Sequence, residues 1–151
     1  MASRLPELID ALMDNLSGHP AYAEANVVDG PRLINSPDTD WVVIGYSGDV
    51  GSGFEAGQTV GGWSGVGTRR EEELQLVVAL VADRGDPDAV REARQRVYEM
   101  AAPLEELLAA NPTLGLAEAE CAIGASTLTQ AQTDSGVQVY LMLQLVARAF
   151  T

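Results

Sequence analysis

Catalytic chemistry in this chain of 151 residues would have to come from an unusual set of side chains. There is one histidine, His19, and one cysteine, Cys121. The nine basic residues are all arginine. Without lysine, neither a Schiff base nor a P-loop lysine can be built. One cysteine and one histidine cannot complete a tetrahedral zinc site without carboxylates, and they cannot form an intrachain disulfide. Cys121 sits in an apolar-leaning segment and reads as a small buried residue, not a nucleophile. His19 stands next to Pro20 just past a helix end, with no identifiable partner base, and reads as a loop residue.

Carboxylate pairs are the remaining route to acid–base work, which they perform when burial separates their pKa values. The groupings are Asp38 with Asp40, and Glu71-Glu72-Glu73. Both stand at strand starts among other charges, where a solvated surface role is the simpler account. Nine of the fifteen glycines fall between Gly45 and Gly67, the stretch in which a phosphate cradle or a nucleophile elbow would have to lie. Gly51-Ser52-Gly53 reaches its next glycine at Gly57, one position too late for Gly-x-Gly-x-x-Gly. Gly45-Tyr46-Ser47-Gly48 and Gly62-Trp63-Ser64-Gly65 lack the closing glycine of an elbow. Arg84-Gly85-Asp86 matches an adhesion tripeptide, but turn chemistry explains each of its residues. No catalytic, cofactor-binding or metal site emerges, and the expectation is a protein that is not an enzyme.

Composition narrows the class further. A hydrophobic content of 46% with clear periodicity describes a folded chain, and the length suits a single domain spanning residues 1–151. No apolar run approaches the ~18 residues of a membrane span. Glu7 and Asp10 appear early, without a signal-peptide apolar region, so synthesis in the cytoplasm is expected. The net charge of −13 opposes non-specific nucleic-acid binding, which relies on cations neutralising phosphates. It is compatible with a surface that DNA passes without sticking, although solubility is the plainer explanation.

The positioning elements follow from periodicity. Leu5, Leu8, Ile9, Leu12 and Leu16 form one helical stripe over Ser3–Leu16, with Ser3 as a cap and Gly18 as the stop. Asn26–Val28 and Arg32–Ile34 are short strand candidates, and Asp40–Tyr46 is a strand. Glu71–Ala82 alternates with period two, and its second half turns apolar on both faces, as if covered on both sides within the chain or by a neighbour. Asp86 suits an N-cap and Pro87 a first helical position. The helix they open runs to about Ala110 on a stripe of Val90, Val97, Met100, Ala101, Leu104 and Leu108. Pro103 is expected to kink or divide it. Ala117–Thr127 reads as a strand interrupted at Gly124, Thr129–Ser135 as turn-like, and Gly136 opens the strand with the cleanest period-two pattern in the chain, which runs to Phe150. The fold class is α+β: a mostly antiparallel sheet of about four to six strands with the N-terminal and long central helices on one face.

The glycine-rich loop or hairpin at about 45–67 carries Tyr46, Phe54 and Trp63. Sparse aromatics on such backbone are typical anchors of an interface that orders on assembly. Arg69 and Arg70 against Glu71, Glu72 and Glu73 form a second candidate, because opposite charges this close often pair between subunits; solvated strand-end charge is the equal alternative. A small ligand-binding or hydrolytic domain, and a peptide-binding module using the glycine-rich loop, remain as other classes.

Several stretches resemble the tail terminator proteins of long-tailed phages with the lambda-type terminator fold, in the small acidic variety of actinobacteriophages. They are Arg70-Glu71-Glu72-Glu73 leading into Leu74–Val81, Ala93–Glu99, Asn111-Pro112-Thr113-Leu114-Gly115-Leu116, Gln130-Ala131-Gln132-Thr133 and the closing strand to Ala149-Phe150. The similarity covers roughly Trp41–Phe150 and is one of layout. It implies a virion protein at the head-proximal end of the tail. Six copies would form a ring on the last ring of tail tube protein, end polymerisation and offer the surface that joins the head-completion or connector protein. DNA would pass the lumen without specific binding; six copies at −13 each give −78. A head–tail connector or neck protein of the same virion is the nearest alternative.

Overall fold

A computed structural model describes residues 3–30, 39–45, 57–63 and 70–150, with the backbone alone for Gly62 and Trp63. Tyr46, Phe54, Arg69, Asp38 and the expected strand at Arg32–Ile34 lie outside the described residues. Helix α1 (Leu5–Ser17) is followed by a short 3-10 turn (Pro20–Tyr22) and strands β1 (Asn26–Asp29), β2 (Thr39–Ile44), β3 (Gly57–Trp63) and β4 (Arg70–Arg84). Helix α2 (Val90–Ala110) then leads to the hairpin of β5 (Ala119–Thr133) and β6 (Gly136–Phe150). The result is the α+β fold expected, with two α-helices and six strands among the described residues.

The sheet runs β1-β2-β4-β6-β5, with β3 also paired to β4. β4 is the spine. One of its edges carries β6 over Glu71–Arg84. The other is shared end to end: β3 pairs with Arg70–Leu76 and β2 with Val78–Asp83. All pairings are antiparallel except β1 with β2.

Alternation sends Leu74, Leu76, Val78, Leu80 and Ala82 of β4, and Val139, Leu141, Leu143 and Leu145 of β6, to one face. There they meet Leu8, Leu12 and Leu16 of α1 and Val97, Met100, Leu104 and Leu108 of α2 in one core. Both helices cover that single face, as the stripes predict. Tyr22 Oη donates to the Met100 carbonyl (2.8 Å), anchoring the segment after α1 to α2.

Five expectations are refined. α2 begins at Val90, because Asp86 caps a preceding turn: its Oδ1 accepts from Asp88 N (2.9 Å), and its carbonyl accepts from Ala89 N (3.0 Å). Pro103 does not divide α2, which continues through it as one element. Part of the glycine-rich stretch, Gly57–Trp63, is a strand, because β4 supplies a pairing edge that compensates for weak intrinsic propensity. Thr129–Thr133 is strand, not turn: β5 continues along β6 to the pair Thr133–Gly136, and only Asp134-Ser135 turn. The expected interruption at Gly124 is a register shift between Ile123 and Ala125, a bulge and not a break.

Candidate functional site

The start of β4 gathers most of the charge singled out in the sequence. Trp63 lies opposite Arg70, and Glu71 lies opposite Phe150. Trp63, Arg70, Glu71, Glu72 and Glu73 therefore share one end of the sheet with the end of β6. Period two splits the three glutamates. Glu71 and Glu73 face away from the helices, while Glu72 faces the helical core.

Glu72 is only 6% exposed, and its Oε2 accepts from the Arg4 backbone N–H (3.0 Å) at the entry to α1. A carboxylate there also opposes the positive end of the helix dipole. Ser3 acts beside it, with Oγ accepting from Leu5 N (3.1 Å). The Arg4 guanidinium pairs with Glu7 (2.9 Å) and donates to the carbonyls of Ala117 and Phe150. Glu72 is thus neither solvated strand-end charge nor a group open to a neighbouring subunit; it holds the first helix to the sheet. Glu72→Ala is expected to cost about 1–3 kcal/mol of unfolding free energy, read by thermal or urea denaturation. Glu72→Gln, which keeps an acceptor, should cost less; equal stability of Ala and wild type would remove this role.

Glu71 also finds its partner inside the chain, since Arg148 donates to it from β6 through Nε and Nη2. Arg148 stands opposite both Glu73 and Glu120 in the two flanking registers. One cation thus lies among three carboxylates, beside a hollow of about 420 Å³ lined by Glu71, Thr113, Glu118, Glu120, Arg148 and Phe150. Arg70 and Glu73 are exposed.

The helix-free face carries a small apolar cluster. Val43, Ala79 and Val81 are fully buried, with Val28, Trp41, Tyr140 and Met142 packed around them. This accounts for the doubly apolar second half of β4: β1, β2 and β6 cover it with side chains of the same sheet face.

Asp40 is not a free acid or base. Its Oδ1 accepts from Arg84 Nη1 (2.8 Å) and its Oδ2 from Arg96 Nε (2.7 Å). Glu92 and Glu99 flank the arginines from α2 at 3.2 Å and 3.6 Å. Burial disfavours the charged Arg84, but hydrogen bonds and charge from Asp40 and Glu92 outweigh it and raise its pKa above the ordinary arginine value. The network ties β2, the end of β4 and the first half of α2 together. Spacing in the sequence offers no sign of it, because Asp40 meets partners 44 and 56 residues away.

Cys121 is buried, and that burial pushes its thiol up to about 12, which leaves little thiolate at neutral pH. His19 Nδ1 accepts from Ala21 N (3.1 Å), so the imidazole caps the short turn that follows it. Among the described residues, no cluster of three or more His, Cys, Asp or Glu is placed to hold a metal ion, and no helix is long and apolar enough to cross a membrane.

No protein-family model matches the chain, and no curated protein sequence matches it.

Proposed function

We propose that this chain is a structural virion protein that acts by assembling with copies of itself: a phage tail terminator. It caps the tail tube as a ring, ends tube polymerisation and presents the surface for head attachment. The observation that supports this best is how the sheet is finished. Helices cover one face only, and β5 closes the strand order with no strand beyond it among the described residues. A ring needs two different surfaces that meet head to tail, with a rotation that closes. A sheet with two dissimilar edges and one helix-free face offers such surfaces.

Several cations are engaged inside the molecule: Arg4 with Glu7, Arg84 and Arg96 with Asp40, and Arg148 with Glu71. The net charge of −13 is thus carried largely by outward carboxylates, which suits a lumen that DNA traverses without adhering. The partners are the chain itself as a homohexamer, the tail tube protein and the head-completion or connector protein. The site of action is the head-proximal end of the tail.

The deciding experiment is electron microscopy of particles assembled with the gene deleted from its parent phage or tail cluster. Tails of uncontrolled length support a terminator. Free tails of normal length beside filled heads replace it with a joining protein, and normal infectious particles end both readings. At the residue level, the double reversal Arg69→Glu/Arg70→Glu is expected to weaken ring or tube-capping assembly about tenfold if this end of β4 lies at a subunit boundary. Sedimentation or capping assays with unchanged assembly would remove the arginines from the interface.

A further inference from the structure

We infer that the outer edge of β5 is a strand-docking site, and that its occupant is the β3 edge of a second copy of this chain. The inference rests on the ring reading above and specifies how two copies would meet.

The first observation is the direction of the backbone groups. Phe150 N donates to the Glu118 carbonyl (3.2 Å), whereas Cys121 N turns away from β6 to the Pro112 carbonyl (2.7 Å). In an antiparallel ladder these directions alternate residue by residue. The register shift at Ile123/Ala125 resets the phase. β6 itself has no register shift, so its alternation runs on from the bonded pair at Phe150 and turns its odd-numbered residues away from β5; Ser126, Leu128, Gln130 and Gln132, opposite Leu143, Leu141, Val139 and Val137, are by that alternation the non-bonded pairs. Their N–H and C=O groups therefore point away from β6, toward the edge. The Pro112 carbonyl and the bulge occupy only the beginning of β5; the rest is open among the described residues.

The second observation is the lack of protection. Long edge strands are normally blunted by lysine, inward charge, proline, brevity or a bulge, and the one bulge of β5 lies near its start, at Ile123/Ala125. β5 is 15 residues long. From Cys121 to Thr133 it contains no Asp, Glu, Lys, Arg or Pro, in a chain where 21% of residues are charged. Polar neutral side chains keep the strand soluble while leaving its backbone available, the chemistry that strand addition requires.

The third observation identifies the occupant. Two chains of net charge −13 repel over most of their surface, so close approach is favoured where neither carries charge. β3, seven residues long, has no ionisable residue and holds an exposed Val60 at 62%. It occupies the other side of the sheet, beyond β4, and β4 is its only strand partner among the described residues. Its length matches the free part of β5. Joining β5 of one copy to β3 of the next uses two different edges, the heterologous geometry that a closed ring needs.

The test is residue-resolved amide exchange on the full chain, with sedimentation, from dilute solution up to about 1 mM. Self-association should slow exchange at Ser126, Leu128, Gln130 and Gln132 by about tenfold or more, while Thr127, Thr129 and Ala131, already bonded to β6, change little. β3 should gain protection in parallel. Ser126→Pro removes an outward N–H and no β6 bond, so it should keep the unfolding midpoint and weaken association about tenfold or more. A chain that stays monomeric throughout, or assemblies in which these amides still exchange fast, would overturn the inference. Rings with fast β5 amides would refute edge pairing and leave the ring reading intact. Tails of normal length after gene deletion would refute the terminator reading without touching the exchange result.

Discussion

Asp40→Ala is expected to lower the stability of the fold by about 2–4 kcal/mol, because it strands two largely buried arginines at once. The side chains of Asp40 and Arg84 are each 12% exposed, and that of Arg96 is 22% exposed. In wild type, both carboxylate oxygens are taken, one by each guanidinium. Alanine leaves Arg84 with Glu92 and Arg96 with Glu99, whose side chains are 68% and 66% exposed and therefore heavily screened. For a domain of this size, the loss corresponds to a fall of about 5–15 °C in melting temperature. Glu99→Ala is the matched control, with an expected effect within about 0.5 kcal/mol. Differential scanning calorimetry of the two variants checks the claim. Equal melting temperatures would mean that the arginines find other partners and that the network contributes nothing net.

Gly57→Ala should detach the start of β3 from the sheet, while Gly61→Ala in the same strand should be tolerated. A Cβ on Gly57 would sit 2.4 Å from the Gln75 carbonyl oxygen and 3.2 Å from a Leu5 methyl. The first of these is backbone of the paired strand, which cannot rotate away. Relief requires β3 to lift off β4 or α1 to shift, at about 1–3 kcal/mol. A Cβ on Gly61 meets nothing within 4 Å. Removing that glycine restricts the unfolded chain and should be neutral or stabilising by up to about 1 kcal/mol. Amide exchange across Gln58–Trp63 and Arg70–Gln75 distinguishes the two: faster in Gly57→Ala, unchanged in Gly61→Ala. Because β3 is also the proposed partner edge, Gly57→Ala should weaken self-association, whereas Gly61→Ala should not. Equal behaviour of the two variants would mean that β3 is not held by this close approach.

The proposed role connects these variants to a phenotype. If copies join through β3 and β5, a change that loosens β3 alters tail length without touching chemistry at any site. The Asp40 variant would act differently, reducing the amount of folded protein. Melting and exchange data obtained on the same preparations separate those routes.

Local residue pattern was enough to specify the elements whose side chains divide regularly between core and solvent. β4 and β6 were legible because Leu74–Ala82 and Val137–Ala147 repeat with period two against a buried layer. α1 and α2 were legible because their apolar residues recur at helical spacing, and the burial of Cys121 followed from its apolar setting. These signals are local, written within a few residues of one another. Tertiary structure alone decided the rest. Thr129–Thr133 is extended because β6 pairs with it, although both its faces are polar and exposed, so no periodic burial marked it. Gly57–Trp63 is a strand because the edge of β4 is there to receive it. The run Glu71-Glu72-Glu73 is a single cluster in the sequence, yet the pleat sends Glu72 under α1 and Glu71 to Arg148. Asp40 meets Arg84 and Arg96 only once β2, β4 and α2 have closed on one another. The physical reason is common to all four. Side-chain periodicity reports which surface a segment buries, but backbone pairing and ion pairing depend on which distant partner the fold brings within about 3 Å, and that distance is set by register, not by spacing along the chain.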